Sequence, residues 1–348
     1  MDQNGKVGYA VLGLGVGFAH ATAAYHNEKA NLIAVCDLRE DRLERARNEF
    51  PGVQTYTDFD EMLARPDIDV ISVAVPSGLH AEFACRVMEA GKDCLVEKPV
   101  DITPEAAQKI IDCRNRTGRK CGVIHQNRFN VNMAPIKEAI DSGRLGKLLL
   151  GTFEVKWYRD QNYYNNDGGW RGTWAMDGGG SLMNQAVHTV DLMQWLMGKP
   201  VEVYSKMGVY NHEIETEDMT VSLFTFENGA NATFVSSTDT FPGICTGIKV
   251  YGTRGSIEAD GDVIKLWKMM DAPENEEREI LHQYGRGNGA AVQKDPTRPF
   301  GHAYQVNDII DAVRENRSPI ITPDEAIKAV RIINAVYESA RTGKKVLL

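Results

Sequence analysis

Lys98 and His188 have the side chains and the settings to take a proton from a hydroxyl group and to stabilise the charge left behind. Lys98 stands in Glu97-Lys98-Pro99, directly after the apolar run Cys94-Leu95-Val96. A strand there would deliver the lysine to the carboxyl edge of a parallel sheet, where open α/β folds bind ligands. His188 stands in Asn184-Gln185-Ala186-Val187-His188-Thr189-Val190-Asp191. Steps of four and three residues put Asn184, His188 and Asp191 on one face of a helix, and that face is more polar than plain packing requires. An imidazole titrates near neutrality and suits a general base, while a lysine ammonium can hydrogen-bond a developing alkoxide and help keep the imidazole unprotonated. Asn184 would orient rather than titrate. Each residue also has a plainer reading. A lysine on a turn is commonly a solvated charge, and a helical histidine is commonly a satisfied core residue. If burial depressed its pKa, Lys98 itself would be the base.

A nicotinamide dinucleotide is the expected second reactant. The first apolar run, Val7 to Leu12, enters Gly13-Leu14-Gly15-Val16-Gly17 and then a helical pattern, so that glycines let the backbone approach a pyrophosphate at a helix N-terminus. The third glycine comes one residue early, at Gly17 rather than at Phe18, and the motif alone is weak. Asp37 closes the second strand, where a carboxylate would bond the adenosine ribose hydroxyls. That carboxylate favours NAD over NADP by opposing a 2′-phosphate, although Arg39 would offset part of the repulsion. Pro76, Ser77 and His80 follow the fourth strand at the same edge of the sheet. They form either a cofactor contact or a plain loop with Ser77 capping the next helix.

These groups need elements to position them. The first third of the chain alternates β-branched runs with helical patterns, which builds a parallel sheet with helices on both faces. Strands are expected at Val7 to Leu12, Leu32 to Cys36, Gln54 to Tyr56, Val70 to Val75, Asp93 to Val96 and Lys120 to His125, with helices near Ala19, Arg42, Met62, Ala81 and Ala106. A helix around Ile136 comes next. Long runs such as LLLGTFEVKWYR and TVSLFTFENGANATFVSS then read as an antiparallel sheet, with turns at Asn228-Gly229 and Arg254-Gly255. One helix interrupts it, Ser181 to Met197, and Ala303 to Arg341 is helical apart from a break at Ser318-Pro319. Asp271 to Arg298 reads as a surface excursion. A length of 348 residues calls for two domains. A formal charge of -9 argues against a nucleic-acid partner, and no apolar run reaches membrane-spanning length. The N-terminus lacks a secretory pattern, so a cytoplasmic location is expected. Six scattered cysteines show no metal-ligand spacing, and no metal is expected.

Between the catalytic segments lie Trp157-Tyr158-Arg159, Tyr163-Tyr164 and Asp167-Gly168-Gly169-Trp170-Arg171-Gly172-Thr173-Trp174. Aromatic rings beside Arg, Asp and Asn suit a sugar, whose ring has apolar faces and a rim of hydroxyls. Trp170 and Trp174 are the favoured contacts, with Trp157 and Arg171 beside them. The same aromatics would also serve as sheet core or subunit interface.

Taken together, the glycine turn with His20, Val75-Pro76-Ser77 through His80, Glu97-Lys98-Pro99, Gln126-Asn127-Arg128-Phe129, and Gly178-Gly179-Gly180 with His188 and Asp191 resemble the Gfo/Idh/MocA oxidoreductase family, over essentially the whole chain. The resemblance implies an α/β Rossmann domain (1–125) followed by an α+β domain with an open-faced, mainly antiparallel sheet (126–348), its C-terminal helices packing back toward the first. It implies a homo-dimer or homo-tetramer formed through that sheet. Lys98 matches the family lysine that contacts substrate and cofactor, and His188 the catalytic histidine. Glu97 and Gln126 join the cofactor-binding set with Lys98, and Arg128 the substrate-binding set, on the same grounds. One departure is Asn184, where many polyol-oxidising members carry Asp. The Trp-Arg-Gly-Thr-Trp run is similar to a branch that oxidises glucosides and levoglucosan, often at C3. The expected function is hydride transfer between a nicotinamide and a secondary ring hydroxyl of a sugar, glycoside or polyol. A nucleotide-sugar dehydrogenase and a non-catalytic cofactor-binding sensor are the alternatives.

Overall fold

The structure is a computed structural model and describes residues 5–285 and 301–348. Its described residues form two compact units, 5–126 with 301–327 and 127–285 with 328–348.

The first unit is built on a parallel sheet of β1 (Val7–Leu12), β2 (Ala30–Cys36), β3 (Gln54–Tyr56), β4 (Val70–Val73), β5 (Asp93–Val96) and β6 (Cys121–Val123), in the order β3-β2-β1-β4-β5-β6. Every residue of β1, β4 and β5 is buried, as central strands covered on both faces must be, which is why they read as unbroken apolar runs. The strand order reverses between β1 and β4, the place where such sheets open a crevice at their carboxyl ends. The fourth and sixth strands end earlier than the sequence suggests, so Val75 and His125 lie in loops at that edge. Local chemistry sets the helix ends. In Pro104–Thr117, Thr103 accepts from the Ala106 amide, Pro104 occupies the first turn, and Gly118 closes the helix at φ 68°.

The expected second domain, 126–348, had its C-terminal helices packing back toward the first, whereas the helix His302–Glu315 is itself part of the first unit. Val306, Ile309 and Ile310 pack into one core with Val7, Tyr9 and Val11. Gln305 fastens it by accepting from the His125 amide and donating to the Val123 carbonyl, both at 2.7 Å.

The second unit holds an eight-stranded sheet of β7 (Leu148–Lys156), β8 (Pro200–Gly208), β9 (Met219–Phe226), β10 (Asn231–Ser237), β11 (Cys245–Gly252), β12 (Gly255–Asp260), β13 (Val263–Met269) and β14 (Val346–Leu347). The order is β13-β12-β11-β7-β10-β9-β8-β14, and every pairing is antiparallel except β7 with β10. Alternation along β9 shows the sheet's two faces: Ser222, Phe224 and Phe226 are buried, while Val221 and Leu223 are exposed. The helix Val187–Met197 lies against β7 and β11. The excursion after Asp271 contains the helix Glu276–Tyr284, which has no buried residue. Residues 286–298 of that stretch lie outside the described residues. No helix among the described residues is long and apolar enough to cross a membrane.

Candidate active site

Three glycines divide the work at the end of β1. Gly13 has φ +87°, and a Cβ there would stand 2.4 Å from the Ala74 carbonyl oxygen, so only glycine fits. A Cβ on Gly15 would meet nothing nearer than the Arg42 guanidinium at 3.9 Å, which leaves that side of the turn open. On Gly17 a Cβ would lie 2.9 Å from Val11 Cγ1 and 3.0 Å from Ala74 Cβ. Gly17 therefore lets the helix Gly17–Tyr25 settle on the sheet, and the early third glycine is a packing position. That helix has no side-chain cap at its N-terminus. Its first-turn amides and the open side of Gly15 suit a pyrophosphate.

Asp37 is buried at the end of β2. Its Oδ2 accepts from the Leu14 amide at 2.6 Å and its Oδ1 from the Arg39 amide at 2.9 Å, which ties the glycine turn to the end of β2. The Arg39 guanidinium is engaged by Asp41 at 3.0 and 2.6 Å, so the guanidinium beside Asp37 is that of Arg42, at 3.4 Å. Gln126 has a buried Oε1 with no hydrogen-bond partner, an acceptor that a ligand amide would satisfy. The open glycine, the uncapped helix, the buried carboxylate of Asp37 and this orphaned oxygen together fit NAD.

Ser77 is buried in a short turn, Ser77–Leu79, after Pro76. It does not cap the following helix; Asp101 does so by accepting from the Ala81 amide at 2.8 Å. His80 faces two backbone carbonyls, with Nδ1 2.7 Å from Pro99 O and Nε2 3.0 Å from Val75 O. Burial lowers its pKa against the pull of those two carbonyls, and the ring sits between the Val75 and Pro99 loops. Glu97 is buried, which disfavours its charge, but His20 at 2.8 Å and His302 at 3.2 Å outweigh burial and hold its carboxyl well below the usual range. Its Oε2 accepts from the Lys98 amide at 3.0 Å. Behind it, His20 Nδ1 lies 3.0 Å from Ser72 Oγ, which lies 2.5 Å from the Tyr9 hydroxyl. Lys98, half-buried, therefore rises from a carboxylate fixed on the far side by a buried chain.

In the second unit, the expected helix Ser181 to Met197 is in two parts. Ser181–Gln185 forms a π turn, and the α-helix begins at Val187. The Ala186 amide is shared between Ser181 O at 3.0 Å and Leu182 O at 3.2 Å. The one-face spacing of Asn184, His188 and Asp191 is broken there, and each has its own surroundings. Asn184 donates to Asp177 Oδ1 at 2.5 Å and accepts from Gln185 Nε2 at 3.1 Å. Gln185 also donates to the Tyr163 hydroxyl at 2.6 Å. Asp191 takes the two-pronged fork of Arg128 at 2.7 and 2.6 Å, in a buried pair. Arg128, expected at the substrate, is thus committed to the helix that carries His188. His188 is buried at the start of that helix.

The aromatic run is split as well. Arg171 lies over Trp170 and Tyr163, at 4.7 and 5.0 Å from their centroids, and Tyr163 joins the Asn184 network. Trp157 donates to Thr246 Oγ1 at 3.0 Å beside Arg159. Trp174 instead packs edge-on against Tyr337 at 5.3 Å, with Arg341 4.4 Å from its centroid. Its ring is engaged by the last helix, Pro323–Thr342, which favours the packing role over the sugar contact.

Two buried carboxylates beside this turn carry no role in the sequence reading. Asp177 anchors Asn184 and accepts from the Gly172 amide at 2.8 Å. Glu217 accepts from the Gly180 amide at 2.6 Å, the Leu182 amide at 2.8 Å and the Tyr337 hydroxyl at 2.9 Å. Burial pushes its carboxyl up to about 7 against those donors, with Asp177 adding to the rise. The acidic run Glu213 to Asp218 and the Asp before three glycines were the available signals.

Residues 7–125 match the oxidoreductase family with an NAD-binding Rossmann fold, and residues 133–258 match the GFO/IDH/MocA C-terminal domain. The WlbA dehydrogenase of Bordetella pertussis, solved with NADH and UDP-GlcNAcA, is 29% identical, with a TM-score of 0.88 over 99% of this chain and 98% of that one. The scyllo-inositol 2-dehydrogenase (NAD(+)) of Bacillus subtilis is 26% identical over 353 residues, covering 99% of this chain and 96% of the relative. Levoglucosan dehydrogenase in complex with NADH shares the fold, with a TM-score of 0.83 at 20% identity over 98% of this chain and 99% of that one. The chain belongs to the Gfo/Idh/MocA family of NAD-binding oxidoreductases.

Proposed function

We propose that this protein is an NAD-dependent dehydrogenase acting on a secondary ring hydroxyl of a sugar, glycoside or polyol. The observation that carries the proposal is the polar network Asp177–Asn184–Gln185–Tyr163 on the turn leading into His188. Such a row of oriented donors and acceptors suits a hydroxyl-rich ring and few apolar ligands. NAD, held by Gly13, Gly15, Val16, Gly17, Asp37, Pro76, Ser77 and Gln126, supplies the hydride acceptor. His188 takes the hydroxyl proton, Lys98 stabilises the charge developing on that oxygen, and Asn184 orients the group through an amide that Asp177 fixes. The test is NADH formation with a panel of hexoses, methyl glucosides, inositols and UDP-sugars. Cofactor binding without turnover on any of them would mark a sensor. A nucleotide-sugar substrate is the second reading, favoured by the WlbA likeness over nearly the full length of both chains.

Two expectations accompany this reading. NAD should bind more tightly than NADP by calorimetry, and Asp37→Ala should narrow the gap, leaving Arg42 beside the 2′-phosphate. Tighter NADP binding by the unaltered chain would reverse the assignment of Asp37. The sheet's open face is also expected to pair copies of the chain, since Tyr204 and Leu223, direct partners across β8 and β9, are exposed together with Val221. Leu223→Glu should then shift the sedimentation of a homo-oligomer toward the monomer with NAD binding intact. An unchanged profile assigns the contact to another surface. A cytoplasmic location belongs to the same reading, because all six cysteines are free thiols.

A further inference from the structure

Two arginines of the second unit flank the elements around His188, and their guanidinium groups are treated differently. The fork of Arg128 is filled by Asp191. Arg159 has no such partner. Its Nη1 donates to the Tyr158 carbonyl at 2.9 Å and its Nη2 to Gln185 Oε1 at 3.0 Å. Its guanidinium carbon stands 5.0 Å from the Trp157 centroid and 5.4 Å from that of Tyr163. No carboxylate among the described residues pairs with it. In a chain with 48 acidic and 39 basic residues, a half-buried guanidinium without a counter-ion is a charge left open. The two rings compensate only in part.

The position of Arg159 matches that vacancy to the site. Gln185, which accepts from it, also donates to Asn184 on the turn before His188. Arg159 also lines an open groove of about 400 Å³ with Trp157 and Tyr158. Tyr163 receives a second guanidinium, that of Arg171, at 5.0 Å, so positive charge gathers on one ring. The groove's carboxylate, Asp260, accepts from the Thr246 amide at 2.9 Å.

We propose that Arg159 is an anion-recognition residue of the substrate site, and that the sugar this protein acts on carries a carboxylate or a phosphate. This deepens the proposed function and rests on it, because it takes the site beside His188 to be a sugar site. Of the five N–H donors of a guanidinium, two are engaged here, and the remaining three can donate to the oxygens of a carboxylate or phosphate. A neutral sugar leaves the charge unpaired. The anion would therefore fix the ring relative to Asn184 and discriminate against neutral analogues.

The test is calorimetric titration of the full chain, saturated with NAD, with D-glucuronate, D-glucose 6-phosphate and methyl glucoside. At least one anionic probe should bind about tenfold or more tightly than the glucoside, and which one does so separates carboxylate from phosphate recognition. Arg159→Met should abolish that preference, bringing the anionic probe down to the affinity of the glucoside measured on the same variant, while Arg159→Lys should retain an intermediate preference. Equal affinities for all three probes, failure of both anions to bind, or a preference that survives Arg159→Met would each overturn the proposal. An anionic preference with no NADH formation on any member of the sugar panel would break the dehydrogenase reading while leaving Arg159 as the anion-recognition residue of a sugar-binding site.

Discussion

Lys98→Met and His188→Ala are each expected to lower turnover by roughly 10²- to 10⁴-fold, and the double variant by little more than either alone. In the proposed mechanism the lysine stabilises negative charge only as it develops on the substrate oxygen, and that charge develops only as the histidine takes the proton. Removing either leaves the other with little to act on. NAD affinity should survive both changes, because the glycine turn and Asp37 are untouched. Asn184→Ala should cost less, since water can replace an orienting amide in part. Single-turnover NADH formation across pH for the two single variants and the double variant is the measurement. Full activity in His188→Ala would move the base to Lys98, and strictly multiplicative losses would show that the two act independently.

The first unit was legible because its signals are local. β1, β4 and β5 are covered on both faces and read as apolar runs, and a glycine turn with an acidic residue at the end of β2 has few other uses. The helix His302–Glu315 was legible as a helix but not in its unit, since an amphipathic pattern declares a buried face without naming what covers it. The π turn at Ser181–Gln185 was hidden for a related reason. Steps of three and four fit an ordinary α-helix equally well, and a carboxylate 35 residues further along bonds the Leu182 amide within it. Trp174 and Arg128 show the same limit in side chains. Both types suit a sugar site, and both are engaged by partners that only the fold brings near: Tyr337 and Arg341 for the one, Asp191 for the other.

Glu217→Ala is expected to be among the most disruptive single changes in the second unit. It leaves the Gly180 and Leu182 amides and the Tyr337 hydroxyl without their acceptor, and a buried group left unsatisfied costs about 1–3 kcal/mol. Destabilisation of several kcal/mol should follow, together with loss of turnover, because the same turn sets Asn184 and the start of the His188 helix. Glu217→Gln isolates the charge. With its carboxyl raised to about 7 in the folded chain, against the ordinary value of 4.5, the folded state binds more protons than the unfolded state between those limits. Stability from this group is therefore fully present below about pH 4.5 and is lost as pH rises through about 7, by on the order of 3 kcal/mol. An uncharged glutamine has no such dependence. The difference in unfolding free energy between the unaltered chain and Glu217→Gln, measured by urea denaturation from pH 5 to pH 8, should thus move steadily in favour of the variant. A difference that stays flat from pH 5 to pH 8 would show that the three donors, rather than burial, govern Glu217, and that it anchors the turn as a carboxylate whose pKa is not raised.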